Sequence, residues 1–181
     1  VWSLLSPNIY YLDDIYRSAG GYYHWGGDYR PFADYIYYFL GLGYRLTDLS
    51  PFPQVLALIF IYTVLFLYVK NFSKENFFLI HYIIFLPIVF NPFMLSNLYF
   101  KFDSVFMMLS ILLSVISIFF VDKKSYFKAA FLLYISSGLY QPSLVAYVCT
   151  SLFFIFKLIE DNKDNKDNKD IFIIWLKKSF Q

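Results

Sequence analysis

Four long stretches of this chain, 55–69, 77–100, 105–121 and 129–156, carry no charged residue. A helix crossing a bilayer needs about 20 apolar residues, with about 17–25 tolerated. The first and third stretches fit once their flanks are included. The fourth is too long for one ordinary span and is interrupted by Gly138-Leu139-Tyr140-Gln141-Pro142-Ser143. That break predicts two short helices joined there, or one helix with a re-entrant turn. A soluble domain of 181 residues with 59% hydrophobic content would expose far too much apolar surface. The expected fold class is therefore all-α, a polytopic membrane helical bundle.

The first fifty residues differ from the rest. They hold all three arginines and five acids, Asp13, Asp14, Asp28, Asp34 and Asp48, among dense Tyr and Trp. Aromatic residues of that density suit headgroup level. Pro31 to Leu40 reads as a short interfacial helix, with Pro31 at its first position and Asp34 facing the positive helix end. The expected organisation is an external or interfacial loop over 1–50, a bundle of about four helices over 51–157, and a low-complexity Asp-Asn-Lys linker over 158–170. A further membrane or interfacial helix is expected to begin in 171–181, and the chain reads as a fragment. Lys70, Lys74, Lys123, Lys124, Lys128 and Lys157 mark alternate loops, which belong on the cytoplasmic side. The first loop, the loop around 91–103 and that around 138–143 then lie outside.

This topology gathers the unusual polar residues on one face: Asp13, Asp14, Arg17, Arg30, Asp34 and Asp48 from the first loop, Asn91, Asn97, Lys101 and Asp103 from the second, and Gln141 from the third. Acids near a membrane are costly unless they face water or a site. The set would suit a sugar and a phosphate presented by a lipid. A carboxylate can take the proton of an attacking hydroxyl, and Arg or Lys can hold a leaving phosphate. Simpler readings stand beside this one. Asp103 can cap the helix that follows it, Asp48 and Ser50 can cap the first clear span, and Asp34 can serve its own helix. Asp28 suits a solvated turn, and His81 a hydrogen-bonded histidine within a span. Asp13 and Asp14 can cap only one helix between them, so the pair best resists a structural explanation.

The weak net charge of +2 and the absence of a basic cluster argue against nucleic acid. With Cys149 alone, no disulfide within the chain can form. No phosphate-binding glycine loop, dinucleotide fingerprint, HExxH or GxSxG occurs. No metal motif is visible and no cofactor is certain, and a divalent cation between carboxylates stays open.

The run Tyr10 to Ser18, then Gly21-Tyr22, Trp25, Arg30-Pro31-Phe32-Ala33-Asp34 and Asp48 to Gln54, resembles the membrane glucosyltransferase II family, which modifies O-antigen in bacteria and their phages. Asn91-Pro92-Phe93, Phe102-Asp103-Ser104 and Leu139-Tyr140-Gln141 continue the resemblance in order over about Tyr10 to Tyr147. It implies a multi-span GT-C-like enzyme that moves glucose from undecaprenyl-phosphate-glucose to a surface polysaccharide outside the inner membrane. The implied catalytic aspartate of the first external loop is Asp13 or Asp14. Substrate-binding roles for Arg17, Arg30, Asp34, Lys101, Asp103 and Gln141 follow from their places in the matching motifs. Lys101 stands where the motif suggests arginine, which keeps the charge and loses the planar fork. The expected partners are a polyprenyl-phosphate-linked sugar donor, a polysaccharide or lipid-linked oligosaccharide acceptor, and membrane lipid. A transporter or flippase-like component of an envelope-polysaccharide pathway is the alternative, although such proteins more often place ionisable groups in mid-span.

Overall fold

The computed structural model describes residues 10–42, 45–72 and 78–161. The expected 171–181 helix and nearly all of the Asp-Asn-Lys repeat lie outside these residues. The described chain is helical, with no strand. Two short helices in the first loop are α1 (Asp13–Gly20) and α2 (Pro31–Gly41), separated by a 3₁₀ turn over Trp25–Asp28. Among its described residues, the stretch read as about four helices contains six: α3 (Phe52–Phe72), α4 (Phe78–Val89), α5 (Pro92–Tyr99), α6 (Ser104–Asp122), α7 (Tyr126–Leu139) and α8 (Leu144–Asp161).

Among the described residues, three helical segments, 52–72, 104–122 and 141–159, are long and apolar enough to cross a membrane. The helices α4 and α5 form a pair bent by 67°. The cause is local. Pro92 drives Asn91 out of the helical region, and Asn91 is extended at φ −97° and ψ 164°. Its side chain then accepts from the Met94 amide at 3.0 Å and donates to the Ile88 carbonyl at 3.1 Å, satisfying groups that the break exposes. The predicted break at 138–143 takes its two-helix form: Tyr140 is extended, Pro142 sits in a short 3₁₀ turn, and α8 follows.

Helix α6 is the axis of the bundle. It packs against α3, α7 and α8, and twelve of its 19 residues are buried. Its two working faces differ. Met107, Met108, Ile111, Leu112 and Val115 join Ala57, Ile61, Val64 and Leu65 of α3 in one apolar core. On the other face Ser110, Ser114 and Ser117 recur at helical spacing, fully buried. Ser114 and Ser136 of α7 share a hydrogen bond of 2.8 Å, as do Ser136 and Ser143, and Ser136 Oγ also donates to the Ser110 carbonyl at 2.8 Å. Small hydroxyl residues let helices approach closely where lipid supplies no hydrophobic drive between them. Tyr68 and Thr150 make the matching link between α3 and α8 at 2.8 Å.

Lys157 of α8 donates to the Asn71 carbonyl at the end of α3 at 2.5 Å. The ends of α3, α6 and α8, with the start of α7, thus form one lysine-bearing end of the bundle. The other end carries the first loop, the 100–103 turn and the 140–143 turn.

Candidate active site

Helix α1 has its amphipathicity reversed relative to a helix resting on a soluble core. Asp14 and Arg17, three residues apart and so on one face, are buried. Leu12, Ile15 and Tyr16 point outward, at 57%, 53% and 71% exposure. Charges inside and apolar groups outside suit a helix whose outer surroundings are greasy. The helix stops at Gly21, whose positive φ of 62° returns its amide to the Arg17 carbonyl at 2.8 Å.

Trp25, fully buried, is the hub beneath α1. Its indole Nε1–H donates to Asp103 Oδ1 at 2.5 Å, a contact between residues 78 apart in sequence. The Arg17 guanidinium lies 4.2 Å from its ring, and Tyr37 and Phe106 pack at centroid distances of 5.5 and 5.4 Å. Each such ring pair contributes about 0.5–1.5 kcal/mol beyond area burial. Asp103 Oδ1 also faces Arg30, whose terminal nitrogen is 2.9 Å away. The Arg30 Nε–H donates to the Leu139 carbonyl at the end of α7, at 2.7 Å. Asp103 stands at the N-cap position of α6 but makes no capping bond with its side chain. Its carboxylate is committed to Trp25 and Arg30 instead.

The two adjacent aspartates part company. Asp13 is exposed, in the first turn of α1. Asp14 has no exposure, and its Oδ2 accepts from the Lys101 backbone amide at 2.5 Å. Its other oxygen, Oδ1, is shielded from solvent and has no hydrogen-bond donor. Burial pushes the Asp14 carboxyl up to about 6; the Lys101 and Phe102 amides draw it down, and the Asp103 charge adds to the rise. The Lys101 side chain, itself buried, places its ammonium 4.4 Å from the Tyr10 ring. Arg17 donates to the Tyr23 carbonyl at 2.5 Å and stands 3.7 Å from the largely solvated Asp28.

Other predicted residues form the frame. Asp34 accepts from the amides of Trp25 and Gly26 at 2.9 and 2.6 Å, so it fixes the 3₁₀ turn upstream of its own helix. Gln141 donates to the Tyr29 carbonyl at 2.8 Å, which ties the third loop to the first. Asp48 accepts from the Tyr10 hydroxyl at 2.7 Å and from the Ser50 amide at 2.8 Å. Burial raises its carboxyl, but these hydrogen bonds outweigh that and leave it below the ordinary value. Among the described residues, no group of three or more His, Cys, Asp or Glu side chains could hold a metal ion.

A family model described as Glucosyl transferase GtrII matches residues 2–180. The chain belongs to that family. A relative described as an uncharacterized 55.3 kDa protein in the gtrB 5′ region of Salmonella phage P22 is 33% identical over 118 residues. The match takes in 63% of this chain and 23% of that relative, so the chain spans under a quarter of its length. No solved structure matches. Within this GtrII-family chain, the residue that sequence reasoning undervalued is Trp25. It stood among many aromatics of the first loop, and no spacing rule connects it to Asp103. The Leu139 carbonyl, a backbone group, had no signal at all.

Proposed function

We propose that this chain is part of an integral-membrane glycosyltransferase that moves glucose from a polyprenyl-phosphate donor to O-antigen or another surface polysaccharide, with its site on the periplasmic side. One observation carries the reading. Asp14, Arg17, Arg30, Lys101 and Asp103, from two separate loops, are buried together at the end of the bundle opposite Lys70, Lys123, Lys124, Lys128 and Lys157. Buried charges are costly and are kept where they serve a site. The lysine end belongs to the cytoplasm by the excess of cations there, which leaves this cluster outside, where a lipid-linked sugar would meet a surface glycan.

In the proposed reaction an acceptor hydroxyl attacks the anomeric carbon of the donor. Asp14 accepts the hydroxyl proton at Oδ1 as the new C–O bond forms. The bond from the anomeric carbon to the phosphate oxygen breaks, and polyprenyl phosphate leaves with the electron pair. A carboxyl raised to about 6 is a stronger base than an ordinary aspartate yet is mostly ionised at neutral pH. Oδ1 is shielded, so this step requires that the acceptor hydroxyl gain access to it. Arg17, Arg30 and Lys101 supply the positive charge that stabilises the departing phosphate, Lys101 as a point charge without a fork.

The test is reconstitution of the full-length protein with polyprenyl-phosphate-glucose and an oligosaccharide acceptor. Transfer of glucose supports the proposal. Movement of the lipid-linked sugar across the bilayer without turnover would overturn it in favour of a flippase.

A further inference from the structure

Beside the charged cluster, α2 and α7 enclose a groove of about 420 Å³. That volume falls within the range of about 300–1,000 Å³ typical of small-ligand sites. The rings of Tyr29, Phe32 and Tyr134 line it together with Ser137, Gly138 and Gln141, and none of its lining residues is charged. Gly138 is required here: a Cβ at that position would stand 2.4 Å from the Phe32 ring. Phe32 and Tyr134 meet edge to face at 5.5 Å, so one ring presents its face where the other presents its rim. Tyr29 and Tyr134 are 83% and 65% exposed. The Gln141 amide nitrogen is held by the Tyr29 carbonyl, which orients its side chain on the groove. Leu139, whose carbonyl receives Arg30, directly follows Gly138, so the groove abuts the cluster that contains Asp103.

We propose that this groove is a subsite for a neutral pyranose unit of the acceptor glycan. The proposal rests on the transferase reading and deepens it. The chemistry of the lining selects the occupant. A phosphate would want a cation, and the lining offers none. An isoprenoid tail would want an unbroken apolar wall, yet the tyrosine hydroxyls, Ser137 and Gln141 add polar edges. A pyranose matches both features, with C–H faces that stack on rings and hydroxyls that bond at the edges.

The experiment compares full-length wild type with Tyr29→Ala, Tyr134→Ala, the double variant and Tyr134→Phe, in lipid nanodiscs. The measured quantities are KM for an acceptor oligosaccharide and KM for polyprenyl-phosphate-glucose. Loss of both rings raises the acceptor KM about tenfold or more, while donor KM stays within about twofold of wild type. Tyr134→Phe, which keeps the ring, recovers most of the loss and shows that folding is intact. An unchanged acceptor KM in the double variant overturns the proposal. A rise in donor KM alone also overturns it and assigns the groove to the isoprenoid. Should wild type transfer no sugar, the transferase reading fails, and the groove is still tested by saturation-transfer NMR with the oligosaccharide alone. Ring-dependent contact then supports a saccharide site, and no contact overturns it.

Discussion

Replacing Asp14 by asparagine separates its two proposed duties, anchoring and proton transfer. Asparagine keeps an acceptor oxygen for the Lys101 amide but cannot take up a proton at neutral pH. The rise of the Asp14 carboxyl from 3.8 to about 6 disfavours its ionised form by about 3 kcal/mol. Because the folded-state value lies above the unfolded one, this stabilisation is fully present below about pH 4 and is lost as pH climbs through about 6. Wild type should therefore melt at a lower temperature at pH 7 than at pH 4 by this contribution, and Asp14→Asn should lack it. Catalysis runs the other way. With a carboxyl at about 6, about nine-tenths of the base is ionised at pH 7 and about one-tenth at pH 5, so wild-type transfer falls nearly tenfold between them. Asp14→Asn should lose about 10²–10⁴-fold in transfer while melting no lower than wild type at pH 7. The assay is glucose transfer across pH 5–8 in nanodiscs, beside thermal melts of the same preparations. Full transfer by Asp14→Asn, or a wild-type profile flat from pH 5 to 7, would refute the reasoning.

Asp103→Asn leaves Arg30 buried beside a neutral partner, which should cost about 3–5 kcal/mol in stability; a combined Asp103→Asn/Arg30→Leu variant that melts no higher than the single one would contradict this. Gly138→Ala forces its new methyl against Phe32 and should destabilise the protein by about 1–3 kcal/mol, with partial relief from Phe32→Leu, read by thermal melts. For topology, single cysteines placed at Tyr29 and Lys123, with Cys149→Ser as background, should react with an impermeant maleimide from opposite sides of the membrane. Labelling of both from one side would undo the arrangement.

The spans were legible because lipid imposes a simple rule, and 21 residues from Phe52 to Phe72 obey it. The α4–α5 bend was equally local, since Asn91-Pro92 contains both the cause of the break and its remedy. The site was less so. An aspartate in front of a long apolar run looks like a cap whether or not it caps, and only the fold shows that Asp103 bonds Trp25 and Arg30. Asp34 was open in the same way: it sits in the first turn of α2, where a dipole role is available, and its oxygens also reach back to Trp25 and Gly26. Adjacent aspartates are indistinguishable in sequence, and the winding of α1 alone decides that position 14 faces inward and position 13 outward. Burial by that rotation also explains why Asp14 is raised.

The first loop docks on the bundle through an apolar cluster, Trp25, Ala33 and Tyr37 against Phe102, Phe106 and Leu139, and through a set of polar contacts that fix its position. Asp14 to the Lys101 amide, Trp25 to Asp103, Arg30 to the Leu139 carbonyl and Gln141 to the Tyr29 carbonyl make up the polar part of that attachment. These same bonds shape the candidate site, so docking of the loop and activity should fail together. Asp13 has no part in the attachment, which makes it the informative control. Asp13→Asn should leave the loop as resistant to limited proteolysis as wild type and leave transfer within about threefold, as for other surface substitutions. If transfer collapses while proteolysis is unchanged, the base is Asp13, and Asp14 is the anchor that presents it.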